Sequence, residues 1–251
     1  MNRYFKENKA KIGSWITLPN VSIAEIMAKS GFDWLAVDLE HSSITINQAE
    51  ELIRVINLCD VRPLVRLTSN NSDLIKRVMD AGAHGIIIPM VNSVDDLLHA
   101  SDSIKYPPNG KRGVGLARAQ GYGANFEEYL EWQKTETLII AQIEHKDALE
   151  NLESIFESGL LDSYIIGPYD LSGSLGIPGQ FDHPIFIEAL EEILSIGNSK
   201  SIPSGIHIIE PNLNELADRI KEGYEMIAYS LDIRMIDSHS RAVFKHISQI
   251  I

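Results

Sequence analysis

The chain has 251 residues, 44% of them hydrophobic, and a formal charge of −13 at pH 7. That is enough apolar material for one large buried core. The acidic excess argues against a nucleic-acid or anionic-membrane partner, though a locally positive pocket could still hold a small anion. One cysteine, Cys59, excludes an intramolecular disulfide and a multi-thiolate zinc site. The first residues carry no apolar core of signal type and no run reaches transmembrane length, so a cytoplasmic location is expected.

Along the chain, short β-branched runs alternate with stretches of helical period. Strands are predicted at about 12–17 (IGSWIT), 34–38 (WLAVD), 62–66 (RPLVR), 85–89 (GIIIP), 138–144 (LIIAQIE), 163–167 (SYIIG), 203–208 (PSGIHI) and 226–230 (MIAYS). After the first strand, Ile23, Ile26 and Met27 form one helical stripe, with Asn20 or Ser22 as cap and Gly31 at the exit. The same design recurs with Leu74, Ile75, Val78 and Met79 before Gly82, and with Leu213, Leu216 and Ile220 before Gly223. Residues 105–126, rich in Gly, Pro and Arg, interrupt the rhythm as a long loop of the kind that often carries function. An amphipathic helix is expected from about 234 to 251. Eight strand–helix units at this length predict a single-domain (β/α)8 TIM barrel over residues 1–251. A doubly wound open sheet is the rival, but no Gly-x-Gly-x-x-Gly follows the first strand.

In such a barrel, groups at the C-terminal ends of strands face the active mouth. By that rule Asp38, Glu40, His41, Arg66, Gln142, Glu144, Asp170, His207, Glu210 and Asp232 converge. Each has a plainer reading alone. A carboxylate after a strand often caps a helix, as Asp170 could, and His207 in an apolar strand reads as a hydrogen-bonded core histidine. His84 and His145 are given no role. Glu144 and Asp170 follow adjacent strands and can share a cation; an all-oxygen donor set favours Mg²⁺ or Mn²⁺. Arg66 could hold an anionic oxygen. His41 is the proton-transfer group, oriented by Asp38 or Glu40. No lysine falls at a strand end, which disfavours a Schiff-base route.

Together GFDWLAVDLEH, RPLVR, IKRVMDAGAHGIIIPMV, YPPNGKRGVG and IIGPYDLSGSLG resemble the HpcH/HpaI family of class II pyruvate aldolases over nearly the whole chain. The resemblance implies reversible cleavage of a 4-hydroxy-2-oxo acid, such as a 2-keto-3-deoxy sugar acid or related diacid, into pyruvate and an aldehyde through a pyruvate enolate. It implies Glu144 and Asp170 as ligands of Mg²⁺, Mn²⁺ or Co²⁺, and His41 as base working with Asp38 through a water. Arg66 is implied on the keto oxygen, the Tyr169 and Asp170 amides on the pyruvate carboxylate, and Gln142 beside them. It also implies a homo-oligomer, hexamer or trimer, in which Arg118 and Gln120 reach a neighbouring subunit's site and the final helix packs on its own barrel or swaps. VRLTSN, RAQGYG and IAYSLD depart from the family's usual wording, which leaves the aldehyde half open. The alternatives are a related enolate-forming lyase acting on an acyl-CoA or phosphoenolpyruvate-type substrate, and an inactive barrel with a binding role.

Overall fold

The computed structural model describes residues 3–5 and 9–247. Residues 1–2, 6–8 and 248–251, which the expected domain and final helix include, lie outside the described residues. Eight parallel strands close into a barrel in sequence order: β1 (Lys11–Ile16), β2 (Trp34–Asp38), β3 (Arg62–Arg66), β4 (Gly85–Ile88), β5 (Leu138–Ile143), β6 (Ser163–Ile166), β7 (Ser204–Ile208) and β8 (Met226–Leu231). Between them run α1 (Val21–Ala28), α2 (Ile46–Leu58), α3 (Ser72–Asp80), α4 (Val94–Ile104), α5 (Phe126–Glu136), α6 (Lys146–Leu149), α7 (Leu152–Glu157), α8 (Pro168–Ser174), α9 (Pro184–Ser199) and α10 (Leu213–Lys221), with α11 (Asp232–Ile247) last. The (β/α)8 expectation is met. No described helix is long and apolar enough to cross a membrane.

Strand alternation sorts the core into two layers. Inward-facing Trp15, Trp34, Ala36, Leu64, Ile87, Ile140, Ile165, Met226 and Ala228 fill the barrel, while Val37, Ile86, Ile88 and Ile139 meet the helices. Trp15 and Trp34 pack edge to face at 6.2 Å. Gly13 makes room for them: a Cβ there would lie 2.0 Å from the Trp34 ring. The helices begin where short polar side chains accept orphan N–H groups, at Asn20, Thr45, Asn71, Ser93 and Asn212. Thr45 with Gln48 forms a full capping box.

Two expected stripes are only partly covered: Met27 and Ile23 of α1 and Leu216 of α10 pack on the core, and the rest do not. Leu213 is 72% exposed and Ile220 44%, no residue of α10 is buried, and Ile26 of α1 is exposed. The last helix, α11, is exposed in the same way. It is rooted by Asp232, whose carboxylate accepts the Thr17 and Leu18 amides at 2.9 and 2.8 Å and the Thr17 hydroxyl. From His239 onward every described side chain of α11 is exposed, including Val243, Phe244 and Ile247.

The 105–126 loop wraps the foot of the barrel. Its anchor is the buried Arg112, which donates to Asp80 at 2.5 Å and to the Tyr129 hydroxyl at 3.0 Å, and lies over the Tyr106 ring at 4.6 Å.

Candidate active site

The mouth is built from strand ends. Asp38 and Arg66 close β2 and β3 as register partners, so their side chains enter the barrel side by side. Arg66 makes a two-pronged pair with Asp38, Nε to Oδ1 at 2.8 Å and Nη2 to Oδ2 at 2.6 Å. Its guanidinium also lies over the Trp15 ring at 4.3 Å, which fixes its plane. Asp38 is 1% exposed and accepts the Glu40 and His41 amides at 3.0 and 3.3 Å as well. The Ser42 hydroxyl donates to the Asp38 carbonyl, tightening the turn.

DLEH offers the imidazole two carboxylates, and the nearer of them is Glu40. Asp38 has both oxygens engaged by Arg66 and the turn, and is not the carboxylate beside the imidazole. Glu40 is: its Oε2 stands 3.8 Å from His41 Nε2 and 3.4 Å from Arg66 Nε, without a hydrogen bond. Burial pushes the Glu40 carboxyl up, Arg66 draws it back down, and Glu144 adds to the upward shift. The His41 side chain is 68% exposed, free to meet a substrate entering from solvent.

Glu144 follows β5 and is 3% exposed. Its Oε1 accepts the Met90 amide at 2.7 Å and its Oε2 accepts the Gln142 side-chain amide. Met90 holds a positive φ of 55°, a strained backbone that turns the amide to the carboxylate. Burial pushes the Glu144 carboxyl up; the two hydrogen bonds oppose this and the Asp170 charge reinforces it. Gly167 leaves the space the carboxylate occupies, since a Cβ there would meet Glu144 Oε2 at 2.8 Å. Asp170 sits exposed in the first turn of α8, beside Tyr169, with no hydrogen bond or ion pair among the described residues. Glu144 is buried and feels the charge of the exposed Asp170, a repulsion that a divalent cation would relieve, and oxygen donors suit Mg²⁺ or Mn²⁺. Among the described residues no set of three His, Cys, Asp or Glu side chains is preassembled.

Other expected residues lie elsewhere. Glu210 is paired with Arg234 at 2.8 Å, and Asp232 is consumed in rooting α11. Arg118 and Gln120 are not brought to the mouth of their own chain. Arg118 lies at the foot, donating to the Ala81 carbonyl at 3.1 Å and Asn57 Oδ1 at 2.8 Å. Gln120 is fully buried, accepting the Ala117 amide and donating to the Tyr106 hydroxyl, so its polar atoms are spent inside the loop. His207, read from sequence as a core histidine, faces the barrel axis against Trp15. The period of two in SGIHI, setting it opposite Ile206 and Ile208, was the available signal. Met90 had none, because only its backbone acts.

Comparison with known proteins places the chain in a family. The family model described as HpcH/HpaI aldolase/citrate lyase matches residues 11–237. The chain is 35% identical to the pyruvate aldolase of Rhizobium etli over 96% of its length and 94% of that protein. It is 34% identical to the hydroxypyruvate/pyruvate aldolase of Sagittula stellata, covering 92% of this chain and 90% of the other. Among solved structures, an HpcH/HpaI aldolase/citrate lyase family protein from Burkholderia cenocepacia superposes with a TM-score of 0.91 at 28% identity, over 98% of this chain and 97% of that one. With the strand-end carboxylates and Arg66 in one mouth and a family match over nearly the whole barrel, the chain belongs to the HpcH/HpaI aldolase/citrate lyase family.

Proposed function

We propose that the chain is a class II pyruvate aldolase that reversibly cleaves a 4-hydroxy-2-oxo acid into pyruvate and an aldehyde. The observation that carries this reading is Glu144: a buried carboxylate, oriented by Met90 and Gln142, in electrostatic contact with both Asp170 and Arg66. The family's aldolases depend on metal. Glu144 and Asp170 would hold the ion, which we take to be Mg²⁺ or Mn²⁺, with Co²⁺ a third choice. When bound, it supplies Lewis-acid stabilisation of negative charge developing on the substrate's oxo-acid oxygens.

The chain's own groups do the rest. His41, with Glu40 beside it, takes the proton of the 4-hydroxyl through a water or directly as the carbon–carbon bond breaks. Electrons move onto the pyruvate half as an enolate, where the Arg66 guanidinium, already fixed by Asp38 and Trp15, meets the growing charge without reorganising. The free amides of Tyr169 and Asp170 at the start of α8 take the pyruvate carboxylate, and Gln142 lines the same side. Protonation of the methylene carbon from the His41 side completes release.

The exposed apolar faces of α11, α10 and α1 support a homo-oligomer in which α11 packs on another copy of a single-domain barrel. One free cysteine, Cys59, fits a cytoplasmic setting.

The test is exchange of the pyruvate methyl protons for deuterium with Mg²⁺ or Mn²⁺, alongside pyruvate release measured by a lactate-dehydrogenase couple. Metal-dependent exchange, abolished in Glu144→Ala, is the expected result. No exchange under any metal sinks the reading. Exchange with no condensation onto any aldehyde would turn it toward a lyase with a different electrophile.

A further inference from the structure

We propose that a cavity at the foot of the barrel, at the opposite end from the mouth, binds a small aromatic carboxylate between Arg118 and Trp132. It shares no residue with the proposed catalytic groups.

The cavity holds about 510 Å³, within the range of small-ligand sites. It lies where the end of α2, the turn from α3 into β4, the 118–122 segment and α5 meet. Asn125, Glu128, Tyr129 and Trp132 recur at helical spacing, so one face of α5 lines it. Arg118 is held in place there. Its Nη1 donates to the Ala81 carbonyl at 3.1 Å and its Nη2 to Asn57 Oδ1 at 2.8 Å. Gly82, at a φ of 97°, leaves the room, since a Cβ there would lie 2.2 Å from Nη1. Both acceptors are neutral, so this guanidinium has no carboxylate partner among the described residues and keeps N–H groups to spare. Arg54 lines the same cavity, its own charge shared with Glu50 at 2.8 Å. Burial, and then the Arg54 charge, push Arg118 down, as happens to a cation short of a counter-ion.

The remaining walls are neutral or aromatic. Asn57 Nδ2 stands 3.4 Å from His84 Nε2, and an amide N–H only donates, so that nitrogen accepts. Burial first, and then the Arg62 and Arg118 charges, hold His84 at about 3, which keeps the ring uncharged. Trp132 meets His84 edge to face at 4.8 Å and stacks on Tyr129 at 5.6 Å, so its indole is braced from two directions.

Charge and shape together select the ligand. Two guanidinium groups against the single carboxylate of Glu128 leave the lining with an excess of one positive charge. A cation is repelled, and a polyphosphate brings more negative charge than the cavity can meet. A neutral ring leaves Arg118 without its anion, and a short acid leaves the indole uncovered. An aromatic monocarboxylate answers both: its two oxygens match the guanidinium fork, and its ring packs on Trp132 and on Tyr122, which is 68% exposed beside Arg118.

The experiment is calorimetric titration of the Mn²⁺-loaded protein with benzoate, benzyl alcohol and acetate. Benzoate should bind once per chain, at least about tenfold more tightly than either of the others. Arg118→Met should weaken benzoate about tenfold or more and Arg118→Lys less, while Trp132→Leu should weaken it several-fold. Trp15 and Trp34 are sealed inside the barrel, so benzoate should change tryptophan emission in the wild type and not in Trp132→Phe. Saturating pyruvate should leave benzoate binding unchanged. Displacement by pyruvate overturns the proposal, because the ligand would then belong to a mouth. Absent binding overturns it too, and is what a second copy of the chain filling the cavity would produce. Benzoate affinity equal to that of benzyl alcohol, or undiminished in both Arg118→Met and Trp132→Leu, has the same consequence. If Arg118→Met does not fold, Arg54→Met and Trp132→Leu decide the matter, each expected to weaken benzoate.

Discussion

Replacing Gly167 by alanine presses one methyl group against the carboxylate on which the proposed chemistry depends. Gly167 has φ −96°, a value alanine adopts freely, so the perturbation is steric. The new Cβ would lie 2.8 Å from Glu144 Oε2 and 2.9 Å from its Cβ, roughly half an ångström inside ordinary contact. Glu144 cannot retreat freely, because the Met90 amide and the Gln142 side chain hold one oxygen each. Moving it breaks at least one charge-assisted hydrogen bond at a buried site, for a loss of about 1.5–3 kcal/mol. For a chain of this size that lowers Tm by roughly 3–12 °C. Affinity for Mn²⁺ should fall about 10- to 100-fold, as when the groups orienting a metal ligand are disturbed. Calorimetric titration with Mn²⁺ and a thermal melt, run beside wild type, measure both. Unchanged affinity with unchanged Tm would refute the packing argument. A lowered Tm with unchanged Mn²⁺ affinity would keep the packing and remove Glu144 from the metal site.

Three further outcomes are expected. Because burial raises the Glu144 carboxyl, its contribution to metal-free stability is present below the ordinary carboxylate range and is lost as pH rises through the raised value. Urea unfolding of Glu144→Gln should lack that component, and Mn²⁺ affinity of the wild type should strengthen with rising pH as the carboxyl gives up its proton. His84 and His207 are depressed to about 3 and about 4, mainly by burial. Their contribution is full above the ordinary histidine value of 6.5 and disappears as pH falls through those values. His84→Phe should therefore flatten the acid limb of the stability curve by an amount of order a few kcal/mol; an unchanged limb would show that His84 is not buried neutral. Asp232→Ala orphans the Thr17 and Leu18 amides and should destabilise by about 3 kcal/mol. Gel filtration of the same variant would show whether freeing the root of α11 also dissociates an oligomer.

The strands were legible almost to the residue, because a buried parallel strand is a continuous apolar run and the polar groups that stop it are its neighbours in sequence. WLAVD and RPLVR coincide with β2 and β3. Helix starts were equally local: Asn20 and Asn71 accept amides two and three residues ahead. The α10 stripe misled because amphipathicity says which face a helix can bury, and coverage depends on where another element lies. Leu213 and Ile220 have the right spacing and no cover within the described chain. Pairing within DLEH was also out of reach. Which of Asp38 and Glu40 attends His41 depends on Arg66, 28 residues beyond Asp38, claiming both Asp38 oxygens first.

From the residues alone came the barrel, its eight strand ends and the charged side chains those ends carry, since alternation, capping and turn chemistry act over a few residues. Closure of the barrel decided the rest. It set Asp38 against Arg66, Glu144 between Met90 and Gln142, and His207 against Trp15, and it carried Arg118 to the opposite end from the mouth. Most of these contacts join strands or loops far apart in the chain, at distances of ångströms. Steric fit, burial and competition for hydrogen-bond donors select them, and none of these can be evaluated until the whole core is packed.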